Sequence, residues 1–254
     1  LYSIINNPYG KNDIFLSFIF SVARLIICFI FAFLIINLLI LTKFTSKQKI
    51  FQSYLGPITN FLTRYGKFAV LILLLISLYR IADVVMGVMA NIFYLEKGYK
   101  ISEIATFSKF FGVFATIFGG FIGGYCSYKF GTMKALFFGA LIAALSNLLF
   151  AWLAISPISI DFLIAVITAD NISSGFAGAA FVIYLSGLTS VKFTATQYAL
   201  FSSIMLFLAK LIAGYAGSWV DVMGYAYFFS FTAFLGIPVL FLILWIGKVA
   251  PIKN

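Results

Sequence analysis

Residues 78–85 read "LYRIADVV", an arginine and an aspartate three positions apart inside an apolar run from Phe68 to Tyr94. A helix of that length crosses roughly 30 Å of hydrocarbon. Further apolar stretches lie at about 14–42, 104–127, 135–155, 159–188, 197–220 and 225–247, so the chain reads as seven transmembrane helices. The strands of a membrane barrel alternate in polarity over about ten residues, and these runs do not. Composition agrees. Of 254 residues 63% are hydrophobic and 9% charged, with a mean hydropathy of +1.12, against about 25% charged in an ordinary soluble domain. A soluble fold is excluded and an all-α membrane protein is expected.

The net charge of +10 does not point to nucleic acid, because the basic residues are not gathered on one soluble face. They sort by loop. If the connection between the first two spans is cytoplasmic, that side carries Lys43, Lys47, Lys49, Arg64, Lys67, Lys129, Lys134, Lys192, Lys248 and Lys253, against Lys11, Lys97 and Lys100 opposite. The positive-inside rule then puts the C-terminus in the cytoplasm. Arg24, Arg80, Lys109 and Lys210 remain within spans. Histidine is absent, which excludes a His-based relay, zinc site or Ser-His-Asp triad within the chain. With no nucleophile motif either, an enzyme is not expected, nor is a metal or cofactor. Cys28 and Cys126 have no pairing signature and receive no role. The first residue is Leu, and the opening "LYSIINNPYGKND" has no signal-peptide pattern; it reads as the continuation of something longer.

The expected organisation is an N-terminal segment and span (1–42), a basic linker (43–67), a six-helix bundle (68–247) and a tail (248–254). In the stretch "TKFTSKQKIFQSYLGPITNFLTRYGK", Phe61, Leu62 and Tyr65 are expected on the membrane surface beside Arg64 and Lys67. Within the bundle a spaced pattern recurs. Gly124, Lys129 and Gly131 follow the third span, and Gly217, Asp221 and Gly224 follow the sixth, 93 residues later. Three helices reverse the direction of insertion, so the copies fall on opposite sides, as in a 3+3 inverted repeat. The charges Arg80, Asp83, Lys109, Asp170 and Lys210 lie on the second, third, fifth and sixth spans, while the fourth and seventh have none. In a 3+3 arrangement the charged four line a cavity and the other two face lipid.

Polar and small residues form stripes at spacings of three and four. These are Ser77, Arg80, Asp83, Gly87 and Asn91; Lys109, Gly112, Thr116, Gly119 and Gly123; Asp170, Asn171, Ser174 and Gly178; and Ser203, Lys210, Gly214, Gly217 and Asp221. A charge at the bilayer centre costs about 2.5–3.5 kcal/mol on insertion scales, so Arg80 and Asp83 are not expected to face lipid. Two roles fit them. Either they neutralise each other structurally, or they face a water-filled cavity where Arg80 grasps an anion and Asp83 carries a proton. Asp170 has no opposite charge one turn away, which makes it the better lone proton carrier; the alternative is a structural pairing with Lys109 or Lys210. Lys109 is placed to snorkel, whereas Lys210 is near mid-helix. Gly119-x-x-x-Gly123, Gly120-x-x-x-Gly124 and Ser174-x-x-x-Gly178 fit close helix approach. "TATQ" at 194–197 fits a capping box, with Thr194 as N-cap and Gln197 at N3. Arg24 reads as a snorkelling residue.

At these positions the sequence resembles a known family. "LYRIADVVMG" (78–87), "SEIATFSKFFGVFATIFGGFIGG" (102–124), "ALSNLLFA" (144–151), "DNISSGFAGAAFVIYLSGL" (170–188) and "KFTATQYALFSSI" (192–204) resemble the second half of AmpG-type muropeptide permeases of the major facilitator superfamily, from about Tyr54 to Ile246. The superfamily's Gly-x-x-x-Asp-Arg/Lys-x-Gly loop is partly kept, with Tyr128 in the acid's place in the first copy and Val222 in the base's place in the second. The resemblance implies proton-driven import of anhydromuropeptides across the bacterial inner membrane, with an N-terminal six-helix half as partner. It also implies a basic position at Arg80, an acidic one at Asp170 and a basic one at Lys210; joined to the stripes above, the candidate substrate contacts are Arg80, Lys109, Asn171 and Lys210, the candidate proton carriers Asp83 and Asp170, and the candidate gates the two glycine loops. The alternatives are a superfamily transporter of another anionic solute, or a membrane subunit that scaffolds a partner without transporting.

Overall fold

The computed structural model describes residues 14–42 and 55–249. Lys11, Lys43, Lys47, Lys49 and Lys253, which entered the orientation argument, lie outside that range. Two units divide between Thr59 and Asn60. In the first, the run of Ile, Leu and Phe forms α1, Ile14–Leu41.

Six helical runs among the described residues are long and apolar enough to cross a membrane. An amphipathic turn, α2 (Gly56–Tyr65), leads into α3 (Ala69–Leu78) and α4 (Ile81–Lys97), which together make the second predicted span. There follow α5 (Ile101–Phe130), α6 (Thr132–Ile155), α7 (Ile160–Leu188), α8 (Thr194–Ala213) and α9 (Ala216–Val249). α9 is not one rod. Gly224 interrupts it with φ 76° and ψ 164°, and Gly131 between α5 and α6 has φ 90° and ψ 150°. That region of backbone space belongs almost only to glycine. The two glycines, 93 residues apart, turn the chain in the same way.

Packing repeats as well. α5 lies along α7 and α8 along α3 and α4; α6 lies along α7 and α9 along α3 and α4; α6 and α9 pair with each other. An axis that exchanges α3–α4 with α7, α5 with α8 and α6 with α9 converts each of these pairings into another on the same list. The bundle is therefore a 3+3 inverted repeat, an all-α membrane fold of the major facilitator type.

The α5–α7 contact is the closest. A Cβ on Gly119 would collide with the Ile172 carbonyl, one on Gly123 with Phe176, and one on Gly175 with the Thr116 carbonyl. Gly119 and Gly123 act as the sequence suggested, but their opposite number is Gly175, one position from the expected Ser174-x-x-x-Gly178 pair. Gly124 meets nothing within 4 Å. The expected cavity stripe on the third span is corrected by the same contact. Gly112, Gly119 and Gly123 are buried under α7, and the open face of α5 carries Phe110, Phe114, Phe118 and Phe121 instead. Small residues in a membrane helix mark its seam with a neighbour, because only they let backbones approach.

Buried side chains form two apolar clusters. One holds Phe61, Leu75, Tyr79, Leu136, Tyr184 and Phe201, the other Ile81, Phe93, Phe150, Leu163, Ala209 and Phe228. Along the chain Tyr79 belongs to the first and Ile81 to the second, and likewise Ala177 and Ile167. Arg80, Asp170 and Ser174 thus fall where α4 and α7 pass from one cluster to the other, and Asp83 lies just inside the second.

α2 also departs from expectation. Phe61 is 3% exposed and stands edge-on to Phe201 at 4.9 Å, so it is part of the core rather than a surface anchor. Arg64 explains the docking: its guanidinium donates to the carbonyls of Leu188 and Thr189 at the C-terminus of α7, where helix carbonyls lack intrahelical partners. Gln197 is not the simple capping residue expected. Its Oε1 accepts from the Ser190 backbone N–H at 2.7 Å, and its Nε2 donates to Asn60 Oδ1 at 3.3 Å.

Candidate substrate and proton site

The central span breaks where its charges are. α3 ends at Leu78, α4 starts at Ile81, and Arg80 between them has φ −100° and ψ 6°. Asp83 falls in the first turn of α4, where the helix dipole favours a carboxylate. A helix that breaks at mid-membrane puts backbone ends where a transporter needs polar groups, and this is tolerated only beside a cavity or under protein cover.

Arg80 Nη1 lies 3.3 Å from Asp83 Oδ2, with 20% and 16% of the two side chains exposed. The guanidinium also reaches across to α7. Nη1 donates to the Ser174 carbonyl at 3.3 Å and Nη2 to Ser174 Oγ at 3.2 Å. Gly178, one turn on, leaves room, since a Cβ there would sit 3.8 Å from Nη1. Tyr79, stacked on Phe181 at 4.6 Å, underpins the site from the core side, its hydroxyl near the carbonyls of Leu136 and Ala177. Arg80 and Asp83 neutralise each other, and both side chains remain partly exposed.

Asp170 is half-buried, one helical turn before Ser174, and lies in the field of both Asp83 and Arg80. Among the described residues the Arg80–Asp83 contact is the one ion pair, so neither Lys109 nor Lys210 pairs with Asp170. Both lysines are exposed. Lys109 sits in a π-helical stretch, Ala105–Phe111, a rare form frequent at functional sites. Lys210 is in the last turn of α8 rather than at mid-helix, because the chain breaks at Gly214–Tyr215; a cation there complements the helix carbonyls. Asn171 turns toward α5. Its Oδ1 accepts from Thr116 Oγ1 at 3.0 Å and its Nδ2 donates to the Ile167 carbonyl at 2.8 Å.

The loop residues divide by role. Gly131 and Gly224 make the turns. Gly124 and Gly217 border open space. Lys129 lies over the rings of Tyr125 and Phe130 at 5.6 and 5.5 Å, and Asp221 is exposed, so neither loop holds an ion pair of its own. Ser174 as the partner of Arg80 and Arg64 as the cap of α7 escaped the sequence reading. The first could have been sought from Asp170, since residues four apart share a helix face.

No protein-family model matches the chain. Curated relatives do. It is 37% identical over 194 residues to a Rickettsia felis protein named "Putative transporter AmpG 4", covering 76% of this chain and 46% of that one. The Rickettsia conorii protein of the same name is 35% identical over 212 residues, 84% of this chain and 49% of the relative. Rickettsia prowazekii "Putative transporter AmpG 1" is 38% identical over 178 residues, 70% and 40%. The chain spans about half the length of the curated relatives it matches. At this identity over most of its length, the chain belongs to the AmpG-type permease family.

Proposed function

We propose that this chain supplies the C-terminal half of a proton-coupled importer of anhydromuropeptides in the bacterial inner membrane, its C-terminus cytoplasmic. One observation carries the reading: Arg80 is shared between Asp83 and Ser174 in a polar layer midway along the bundle, on a partly open face. A substrate carboxylate competes with Asp83 for Arg80, since both offer the same charge-assisted bond to the guanidinium. Once the substrate holds Arg80, a proton on Asp83 or Asp170 balances the second carboxylate, and proton and anion cross together. Lys109 and Lys210 add positive potential for a substrate rich in carboxylates, and the two glycine turns serve the gating loops. The opposite wall of the cavity comes from an N-terminal six-helix half, against which this bundle rocks.

The test is uptake of labelled anhydromuropeptide into vesicles that hold residues 1–254 together with an N-terminal six-helix half, with and without a proton gradient. Accumulation that requires both halves and the gradient supports the reading. Uptake indifferent to the gradient refutes the coupling, and robust uptake by the chain alone refutes the need for the second half, unless the chain proves to be a homodimer. A second reading, transport of another anionic solute, draws on the same exposed cations; it is favoured if a different anion competes and muropeptide does not bind.

A further inference from the structure

Among the described residues the carboxylates outside the polar layer are confined to one end of the bundle. Glu96, Glu103, Asp161 and Asp221 all lie at the end where α4 meets α5, α6 meets α7 and Gly224 turns the chain within α9, beside Lys97 and Lys100. The other end carries Arg64, Lys67, Lys129, Lys134, Lys192 and Lys248 and not one carboxylate. At that basic end the first turns of α6 and the last turns of α9 diverge around a groove of about 410 Å³, lined by Met133, Lys134, Phe137, Phe138, Leu244 and Lys248, among others. Gly247 widens it, as a Cβ there would approach only the end of Met133. Lys134 and Lys248 are exposed at its mouth, and neither has an ion-pair partner among the described residues.

We propose that this groove binds an anionic phospholipid, its phosphate between Lys134 and Lys248 and an acyl chain along Phe137, Phe138 and Leu244. The chemistry is two-sided. The apolar lining suits an acyl chain and not a soluble anion, while two ammonium groups with no ion-pair partner among the described residues favour a phosphodiester of uncompensated charge over a zwitterion, whose choline cancels the net charge. Basic pockets between membrane helices at the charged boundary are used this way. The inference is independent of the transported substrate, because the groove lies between the two helices that carry no charge in the polar layer.

The experiment is native mass spectrometry of the purified chain with added phosphatidylglycerol, phosphatidylcholine of matched chains, or inorganic phosphate. Phosphatidylglycerol is expected to be retained, and the pair Lys134→Gln/Lys248→Gln to weaken retention about 30-fold, the loss of two surface lysine contacts. The control pair Lys129→Gln/Lys192→Gln, which removes the same charge from the same end, is expected to change it little. All four side chains are exposed, and circular dichroism checks that the variants keep their helices. Equal losses in both pairs would show a diffuse basic end and overturn the site. Equal retention of phosphatidylcholine, or displacement of the lipid by inorganic phosphate, would overturn the ligand.

Discussion

Gly175→Ala is the most incisive perturbation of the fold that positions the site. The added Cβ would meet the carbonyl of Thr116 and the backbone N of Gly120. These are backbone atoms of a second helix, so no side-chain rotation relieves the clash. Carbon–oxygen contact begins near ~3.3 Å, and α5 and α7 must part by about 1 Å to reach it. That separation strains the 3.0 Å bond from Thr116 to Asn171 and lifts Gly119 and Gly123 off Ile172 and Phe176. Overpacking a tight contact costs about 1–3 kcal/mol, and a lost hydrogen bond about 1 kcal/mol more. Thermal unfolding of the purified protein in one detergent, measured for Gly175→Ala beside Gly124→Ala, reads the difference. Gly124 has open space around it, so its variant controls for the change in helix propensity alone. A Gly175→Ala midpoint equal to that of Gly124→Ala would refute the glycine-mediated seam and, with it, the register that places Asp170 and Ser174 opposite Arg80.

Three further outcomes are expected. Asp83→Asn or Asp170→Asn abolishes gradient-driven accumulation while substrate exchange persists, because exchange needs no net proton release; undiminished accumulation in both variants would remove the carboxylates from the coupling. Arg80→Gln and Lys210→Gln weaken binding of carboxylate-bearing muropeptide more than binding of its neutral sugar portion, by roughly 1.5–3 kcal/mol for the charged bond at Arg80 and by less than about 1 kcal/mol at the exposed Lys210, and equal losses for the two ligands in a binding titration would make these residues structural. Arg64→Gln frees the carbonyls of Leu188 and Thr189 and loosens the α7–α8 turn, so trypsin cuts faster after the exposed Lys192; an unchanged cleavage rate would show that α2 is not the clamp.

The composition alone excluded a soluble fold, since 9% charged residues cannot cover the surface of a soluble domain this size. Length then set the spans, because hydrocarbon thickness fixes how many apolar residues a crossing helix needs. The inverted repeat was legible from Gly131 and Gly224, for a backbone conformation open almost only to glycine writes itself into sequence. So was the placing of Arg80, Asp83 and Asp170 inside the bundle: a charge within an apolar run is too costly to leave facing lipid. Which way a stripe faces was not legible. Gly112, Gly119 and Gly123 have the same periodicity whether they border a cavity or a neighbouring helix, and only the position of α7 decides between the two. Phe61 likewise reads as an interfacial aromatic until Arg64 is seen binding the end of α7, 124 residues away. Local spacing fixes what a single helix can present, because side-chain direction follows from the backbone over one or two turns. The partner for each face depends on contacts between residues distant in the chain, and no periodicity records those.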